Sequence, residues 1–183
     1  MIIIAFGSNL SGVFGTPKNT IRRALDELAS VGIQIVETSG IYITRAYSYA
    51  PQPEFSNAVA TVATPMSADA LLQVLKRIEA QAGRRVAKNM RRLYGRWAPR
   101  PLDLDIVCYK GIVCNWKITG PIEGKRVVLP HPRAHERAFV LVPLAEAAPH
   151  WHHPILGLTA TQLLKRPDVL QTGAIISRED FAP

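Results

Sequence analysis

The chain opens on an apolar, β-branched run, Ile2-Ile3-Ile4-Ala5-Phe6, that stops at Gly7-Ser8-Asn9. A run of this kind bounded by turn residues predicts a buried strand entering a tight turn. Pro17 follows where a first helical turn accepts proline, and Ile21, Leu25, Leu28 and Val31 then recur at helical spacing. Arg22, Arg23, Asp26 and Glu27 lie off that stripe, so an amphipathic helix ending near Gly32 is predicted. Ile33, Ile35, Ile41, Tyr42 and Ile43 predict one long strand or two collinear pieces, and Arg45 to Glu54, with two prolines and little periodicity, predicts a loop. Asn57 to Ala63 is β-compatible. Ser67 then opens a second helix with Leu71, Val74, Leu75, Ile78 and Ala82 as its apolar stripe and Gly83 as its stop.

Past a basic stretch from Arg84 to Arg100, Leu102, Leu104 and Ile106 alternate with Asp103, Asp105 and Val107, the period of a strand running to Tyr109. Val127 to Leu129 predicts a further short strand, Arg133 to Ala147 a helix interrupted at Pro143, and Thr161 to Lys165 a small helix. The order is β-α-β-β-α-β. That order predicts an α+β fold with a ferredoxin-like core, helices packed on an antiparallel sheet, and additions at the C-terminal end. A single domain over residues 1–183 is expected, its core at about 1–150 and an extension at about 151–183.

Composition narrows the class. Hydrophobic residues at 48% permit a sizeable core and exclude a disordered or fibrous chain. No apolar run reaches the roughly 20 residues that span a bilayer. Met1 leads directly into the first strand without a basic segment, so a mature, cytoplasmic chain is expected. Lys plus Arg number 22 against 14 Asp plus Glu, a formal charge of +8, which points to anionic partners. Cys108 and Cys114 are too few for a disulfide framework and lack zinc-knuckle spacing, so two reduced thiols are expected.

The chemistry concentrates in Arg96-Trp97-Ala98-Pro99-Arg100-Pro101-Leu102-Asp103-Leu104-Asp105-Ile106. On a strand, residues i and i+2 share a face, so Asp103 and Asp105 stand side by side, about 7 Å apart at Cα. Two such carboxylates suit a hard divalent cation, and Mg²⁺ better than zinc because no His or Cys lies at ligand spacing. A solvated strand face is the plainer alternative. Nine basic residues and one acid, Glu79, lie between Lys76 and Arg100, a stretch that calls for a polyanion. Guanidinium forks beside Mg²⁺-seeking carboxylates suit nucleotide phosphoryl chemistry. A nucleic-acid groove with Trp97 as a stacking platform also accounts for the arginines, although no RNA-recognition signature is present. No Gly-Lys-Ser/Thr follows the early glycines, so a P-loop is excluded. Pro149-His150-Trp151-His152-His153-Pro154 has no acid or cysteine beside it and predicts a surface turn in preference to a metal site.

Taken in order, these blocks resemble the 6-hydroxymethyl-7,8-dihydropterin pyrophosphokinase family of folate biosynthesis. The resemblance runs through Gly7-Ser8-Asn9-Leu10, then Tyr42-x-Thr44 with Gln52-Pro53-x-Phe55-x-Asn57, and then Arg77-Ile78-Glu79 with Gly83-Arg84. It continues through Arg96-Trp97-x-Pro99-Arg100-x-Leu102-Asp103-Leu104-Asp105-Ile106 and Leu129-Pro130-His131-Pro132-Arg133 with Arg137-x-Phe139. It implies transfer of pyrophosphate from ATP, the co-substrate, to 6-hydroxymethyl-7,8-dihydropterin with release of AMP. Two Mg²⁺ ions on Asp103 and Asp105 are implied, with Arg84 and Arg100 as phosphate arginines in a closing loop. ATP contacts are implied for Glu79, Arg84, Trp97, Arg100, Ile106, Arg126, His131 and Arg137. Pterin contacts are implied for Thr44, Arg45, Tyr47, Phe55, Asn57, Trp97 and Phe139, with the two phenylalanines stacking and the Asn57 amide reading the heterocycle's edge. A monomer that engages neither nucleic acid nor membrane is expected. The chain departs from the family pattern at Ala98, where glycine is usual, at Arg45-Ala46-Tyr47, and in a longer basic loop. The second of these leaves room for a relative acting on a modified pterin.

Overall fold

In the computed structural model, residues 1–46, 51–84, 98–116, 127–170 and 172–181 are described. In chain order the elements are β1 (Ile2–Ser8), α1 (Pro17–Ser30), β2 (Gln34–Thr38), β3 (Ile41–Thr44), β4 (Phe55–Ala63), α2 (Ala68–Gln81) and β5 (Asp103–Tyr109). A 3₁₀ turn (Ala134–Glu136), α3 (Ala138–Ala147), α4 (Ala160–Leu164), α5 (Pro167–Leu170) and β6 (Ile175–Glu179) complete them. The strands form one antiparallel sheet in the order β5-β1-β4-β3-β6, with β2 also paired to β4. β2 lies along the Ala60 to Ala63 end of β4 and β3 along the Phe55 to Asn57 end, so the segment from Gln34 to Thr44 is two collinear pieces.

The alternation of the strands splits the core between two faces. Ile2, Ile4, Phe6, Leu104 and Ile106 meet the stripes of α1 and α2 on one face. Ile3, Val59 and Val107 meet α3, α4 and α5 on the other. Both long helices start as expected. The Thr16 hydroxyl accepts from the Asn19 N–H and the Ser67 hydroxyl from the Ala70 N–H, each satisfying an otherwise orphaned donor. Gly83 ends the second in a left-handed conformation, φ +94°.

Three expectations need correction. Val127 to Leu129 forms no strand; Leu129 makes only a single bridge to Cys114. The break in the 133–147 helix falls at Arg137, whose backbone is extended, and not at Pro143, which lies inside α3. That helix is buried on most of its circumference, and this packing outweighs the local cost of the proline. The tail contributes β6 in addition to its helices. All five β6 residues are exposed on the sheet edge, so no inward-facing alternation marks it in the sequence. Cys108 is buried and Cys114 half-buried, and both are free thiols. No helix among the described residues is long and apolar enough to cross a membrane.

The histidine run also departs from a surface turn. His150 and His152 are exposed, whereas His153 is 1% exposed. Its Nδ1 accepts from the N–H groups of Ile155 and Leu156, each at 3.2 Å, and its ring packs against Trp116, His135 and Trp151. Burial, and His135 beside it, push the His153 imidazole down to about 4. An unfolded histidine titrates near 6.5, so between these two values the unfolded chain binds the extra proton. Stability contributed by neutral His153 is therefore present above about pH 6.5 and is lost as the pH falls toward about 4. Denaturant melts should show the midpoint dropping between pH 7 and pH 5. His153→Gln should be less stable at pH 7 and should show a flatter drop. His131 and His135 are shifted in the same direction, so part of the slope remains. An unchanged slope in the variant would refute the assignment.

Candidate active site

The antiparallel register aligns side chains into rows across the sheet. Asp103 of β5 stands opposite Gly7 of β1, which stands opposite Asn57 of β4; Asp105 stands opposite Ala5. These residues share one face, and at the open end of that face the helical layer gives way to a cleft of about 300 Å³. Leu102, Leu104 and Ile106 are buried on the other face, which fixes the direction of both aspartates. Gly7 separates the acidic end of the row from Asn57. A Cβ there would lie 3.4 Å from the Asn57 Oδ1 and 3.9 Å from the Asp103 Cβ, inside the space the cleft floor leaves open.

At the acidic end, charges interlock. Arg84 Nη1 lies 2.6 Å from Asp103 Oδ1 and 2.6 Å from Glu79 Oε2, and Arg100 Nη1 lies 2.8 Å from Asp103 Oδ2. Glu79 is buried beneath them, accepting from Lys76 Nζ at 2.7 Å and from the Leu104 N–H at 2.8 Å. Burial raises the Glu79 carboxyl above the usual carboxylate range, with Lys76 and Arg84 offsetting part of the effect. Burial acts on Asp103 in the same sense, but there Arg100, Arg84 and Lys76 prevail and hold it below that range. Asp103 is therefore firmly ionised at neutral pH. Burial would lower the Arg84 guanidinium, yet Asp103 and Glu79 outweigh it and raise the pKa.

Asp105 is the more accessible carboxylate, and among the described residues His131 pairs with it, with Nε2 at 3.8 Å. The Arg133 N–H donates to His131 Nδ1, so Nε2 carries the proton and faces Asp105. Burial lowers the His131 pKa, with Arg137 and Arg133 adding to the effect and Asp105 and Asp103 opposing it, so the ring is neutral near pH 7.

At the other end, Asn57 Nδ2 donates to Thr44 Oγ1 at 2.9 Å, which locks the amide orientation. Phe55 and Phe139 line this part of the cleft with Arg45, and the Arg137 guanidinium sits 5.6 Å from the centre of the Phe139 ring. One end thus offers carboxylates, guanidiniums and an ammonium for a metal–phosphate ligand. The other offers two rings and an oriented amide for a flat polar heterocycle.

Of the residues singled out in the sequence, Thr44, Arg45, Phe55, Asn57, Arg84, Arg100, Asp103, Asp105, His131, Arg137 and Phe139 come together on the cleft wall. Glu79 lies behind that wall with its oxygens engaged as described, and the Ile106 side chain points into the opposite core. Tyr47, Trp97 and Arg126 fall outside the described residues.

Two residues carry more than the sequence reading assigned them. Lys76 lines the cleft and also donates to Leu104 O at 3.2 Å. Asn9, 2% exposed, ties three segments together. Its Oδ1 accepts from the Arg100 N–H, and its Nδ2 donates to Gln52 Oε1 and to Pro53 O. The Gly-Ser-Asn break after the first strand marks the position, but only the fold reveals those partners.

Comparison with known proteins shows the family. Residues 3–149 match the family model described as 7,8-dihydro-6-hydroxymethylpterin-pyrophosphokinase (HPPK). A 2-amino-4-hydroxy-6-hydroxymethyldihydropteridine pyrophosphokinase of Synechocystis sp. is 38% identical over 161 residues, spanning 87% of this chain and 74% of that protein. The Haemophilus influenzae protein of the same description is 36% identical over 146 residues, spanning 79% of each. A crystal structure of Plasmodium falciparum HPPK-DHPS superposes with a TM-score of 0.62 at 13% identity, covering 94% of this chain and 46% of that one, a likeness of fold. With most of its length matched by the family model and by relatives above 30% identity, the chain belongs to the 7,8-dihydro-6-hydroxymethylpterin-pyrophosphokinase family.

Proposed function

We propose that this cleft is where the chain performs its family's reaction. In that reaction the hydroxymethyl oxygen of 6-hydroxymethyl-7,8-dihydropterin attacks the β-phosphorus of ATP. A C–O–P bond forms, the bond from the β-phosphorus to the oxygen of the α-phosphate breaks, AMP leaves, and the hydroxyl proton is released. The observation that carries the assignment is the common face of Asp103, Gly7 and Asn57, which sets a phosphate-binding end and a heterocycle-binding end side by side with no side chain between them. The ferredoxin-like βαββαβ order belongs to the same reading, with β2 and β3 counted as one interrupted strand along β4.

Asp103 and Asp105 are the residues that would hold Mg²⁺. Such a cation would take its remaining ligands from water and phosphate oxygens. The oxygen-only donor pair fits a hard ion, and two ions are our reading of the site. When bound, Mg²⁺ would neutralise phosphate charge and lower the barrier to attack. Arg84 and Arg100 keep Asp103 ionised, and their N–H groups are the donors we assign to the triphosphate. His131 offers its Nε2–H, and Arg137 adds positive charge on the same side. Phe55 and Phe139 are the stacking rings, and Asn57, steadied by Thr44, sets the pterin's orientation.

Incubation with ATP, Mg²⁺ and 6-hydroxymethyl-7,8-dihydropterin should yield AMP together with the pterin diphosphate. ADP in its place would signal transfer of a single phosphoryl group and sink the reading. Asp105→Ala should abolish turnover with the thermal midpoint little changed, because among the described residues no ion pair to an arginine depends on it. Asp103→Ala should also inactivate, but with a loss of stability, because Arg84 and Arg100 are then left facing each other. Arg100→Ala should lower kcat by about 10²–10³-fold, the scale of a lost transition-state charge contact. Steady-state kinetics beside melting curves check all three, and normal turnover of Asp105→Ala would remove the metal assignment.

A further inference from the structure

The family match ends at residue 149, yet the chain beyond it returns to pack behind residues that line the cleft. Thr172 is buried, and its hydroxyl accepts from the Ala138 N–H at 2.7 Å while lying 2.7 Å from the Val169 carbonyl, to which it donates. Ala138 is the first residue of α3, and Arg137 at that helix's cap position provides no side-chain cap. The orphan donor is thus satisfied from 34 residues away. Arg137 and Phe139, on either side of Ala138, both line the cleft.

Gly173 follows in a left-handed conformation, φ +67°. A Cβ there would stand 2.8 Å from Phe139 Cδ1 and 3.4 Å from Phe139 Cβ, with the Arg45 carbonyl at 3.5 Å. Ala174 O then accepts the Arg45 N–H at 3.0 Å, and Ile175 pairs with Thr44. Farther along, Arg178 forms an ion pair with Glu146 near the end of α3, and Glu146 in turn accepts from the Tyr42 hydroxyl and the Gly40 N–H. Residues 172–178 therefore fasten α3, which carries Phe139, to β3, which carries Thr44 and leads into Arg45.

We propose that Thr172-Gly173-Ala174 is a positioning element for the flat heterocyclic substrate, setting the gap between the Phe139 ring and the Thr44–Arg45 wall. It touches no reacting atom. This inference rests on the reading of Phe139 and Thr44 as pterin-side residues. Gly173 supplies the close approach that only an absent side chain permits, and Thr172 supplies the cap that sets where α3 begins.

The test compares Gly173→Ala, Thr172→Val and Thr172→Ser with the unaltered chain, measuring KM for the pterin, KM for ATP, kcat and the thermal midpoint. Gly173→Ala should raise the pterin KM about tenfold or more while the ATP KM stays within about twofold, since its added Cβ meets only Phe139 and the Arg45 backbone, and Thr172→Val, which releases the helix start beside Arg137 as well, should raise the pterin KM by a similar factor. Thr172→Ser, which keeps the hydroxyl, should restore the ordinary pterin KM. Unchanged pterin KM values would overturn the proposal. A parallel rise in both KM values of Gly173→Ala with a falling midpoint would also overturn it, since that marks a merely structural role. If Gly173→Ala fails to fold, the Thr172→Val and Thr172→Ser pair decides. Phe139→Ala separates the two levels of inference. If it raises the pterin KM while the tail variants do not, only the positioning role fails; if the unaltered chain makes no AMP, the functional reading itself fails.

Discussion

The site depends on a single carboxylate held between two guanidiniums. Asp103 sits at the start of an edge strand, with Arg84 and Arg100 arriving from the two ends of the basic segment that precedes it. Buried Glu79 secures Arg84 from below and grips the backbone of Leu104 beside it. A buried carboxylate without such partners would shed its charge, and arginines crowded without a carboxylate would repel one another. The arrangement keeps Asp103 and Arg84 charged and close before any ligand enters. The same groups therefore need little rearrangement to meet a polyanion, which is the meaning of electrostatic preorganisation.

The sheet does the spatial sorting. Because side chains alternate, the hydrophobic partners of β5 are drawn under α1 and α2, and its aspartates are turned to the opposite face. Antiparallel register then carries that face across β1 to β4, where Asn57 and Phe55 stand. Gly7 keeps the passage between them open. Two chemically unlike half-sites are thus set at neighbouring strands by pairing alone, and α3 closes the second from above with Phe139.

Much of this was legible in the chain itself. An apolar β-branched run located β1, small β-compatible residues β4, helical stripes α1 and α2, and period-2 alternation β5. Asp103 and Asp105 were legible because the same alternation that anchors Leu104 and Ile106 dictates where the acids point. What escaped was long-range. β6 is an exposed edge strand whose pairing with β3 leaves no hydrophobic signature, and the capping of Ala138 by Thr172 joins residues far apart in sequence. His153 reads as polar and therefore superficial, yet two aromatic rings and a second histidine enclose it and local N–H groups satisfy its Nδ1. The functions of Asn9 and Lys76 as connectors were equally hidden, since a hydrogen-bond hub is defined by who arrives and not by the residue that waits.

The lining of the cleft has a kinetic consequence. Lys76, Arg84, Arg100, Arg137 and Arg45 border a concave space whose wall, among the described residues, holds two carboxylates, within a chain of net charge +8. Field lines from those cations are focused by the low-dielectric walls, so an approaching nucleotide is guided before it makes contact. With a Debye length of about 8 Å at physiological ionic strength, that guidance reaches little beyond the rim. Capture of the nucleotide should therefore slow as salt rises, while the heterocycle, which carries no net charge, should arrive at a pace indifferent to it.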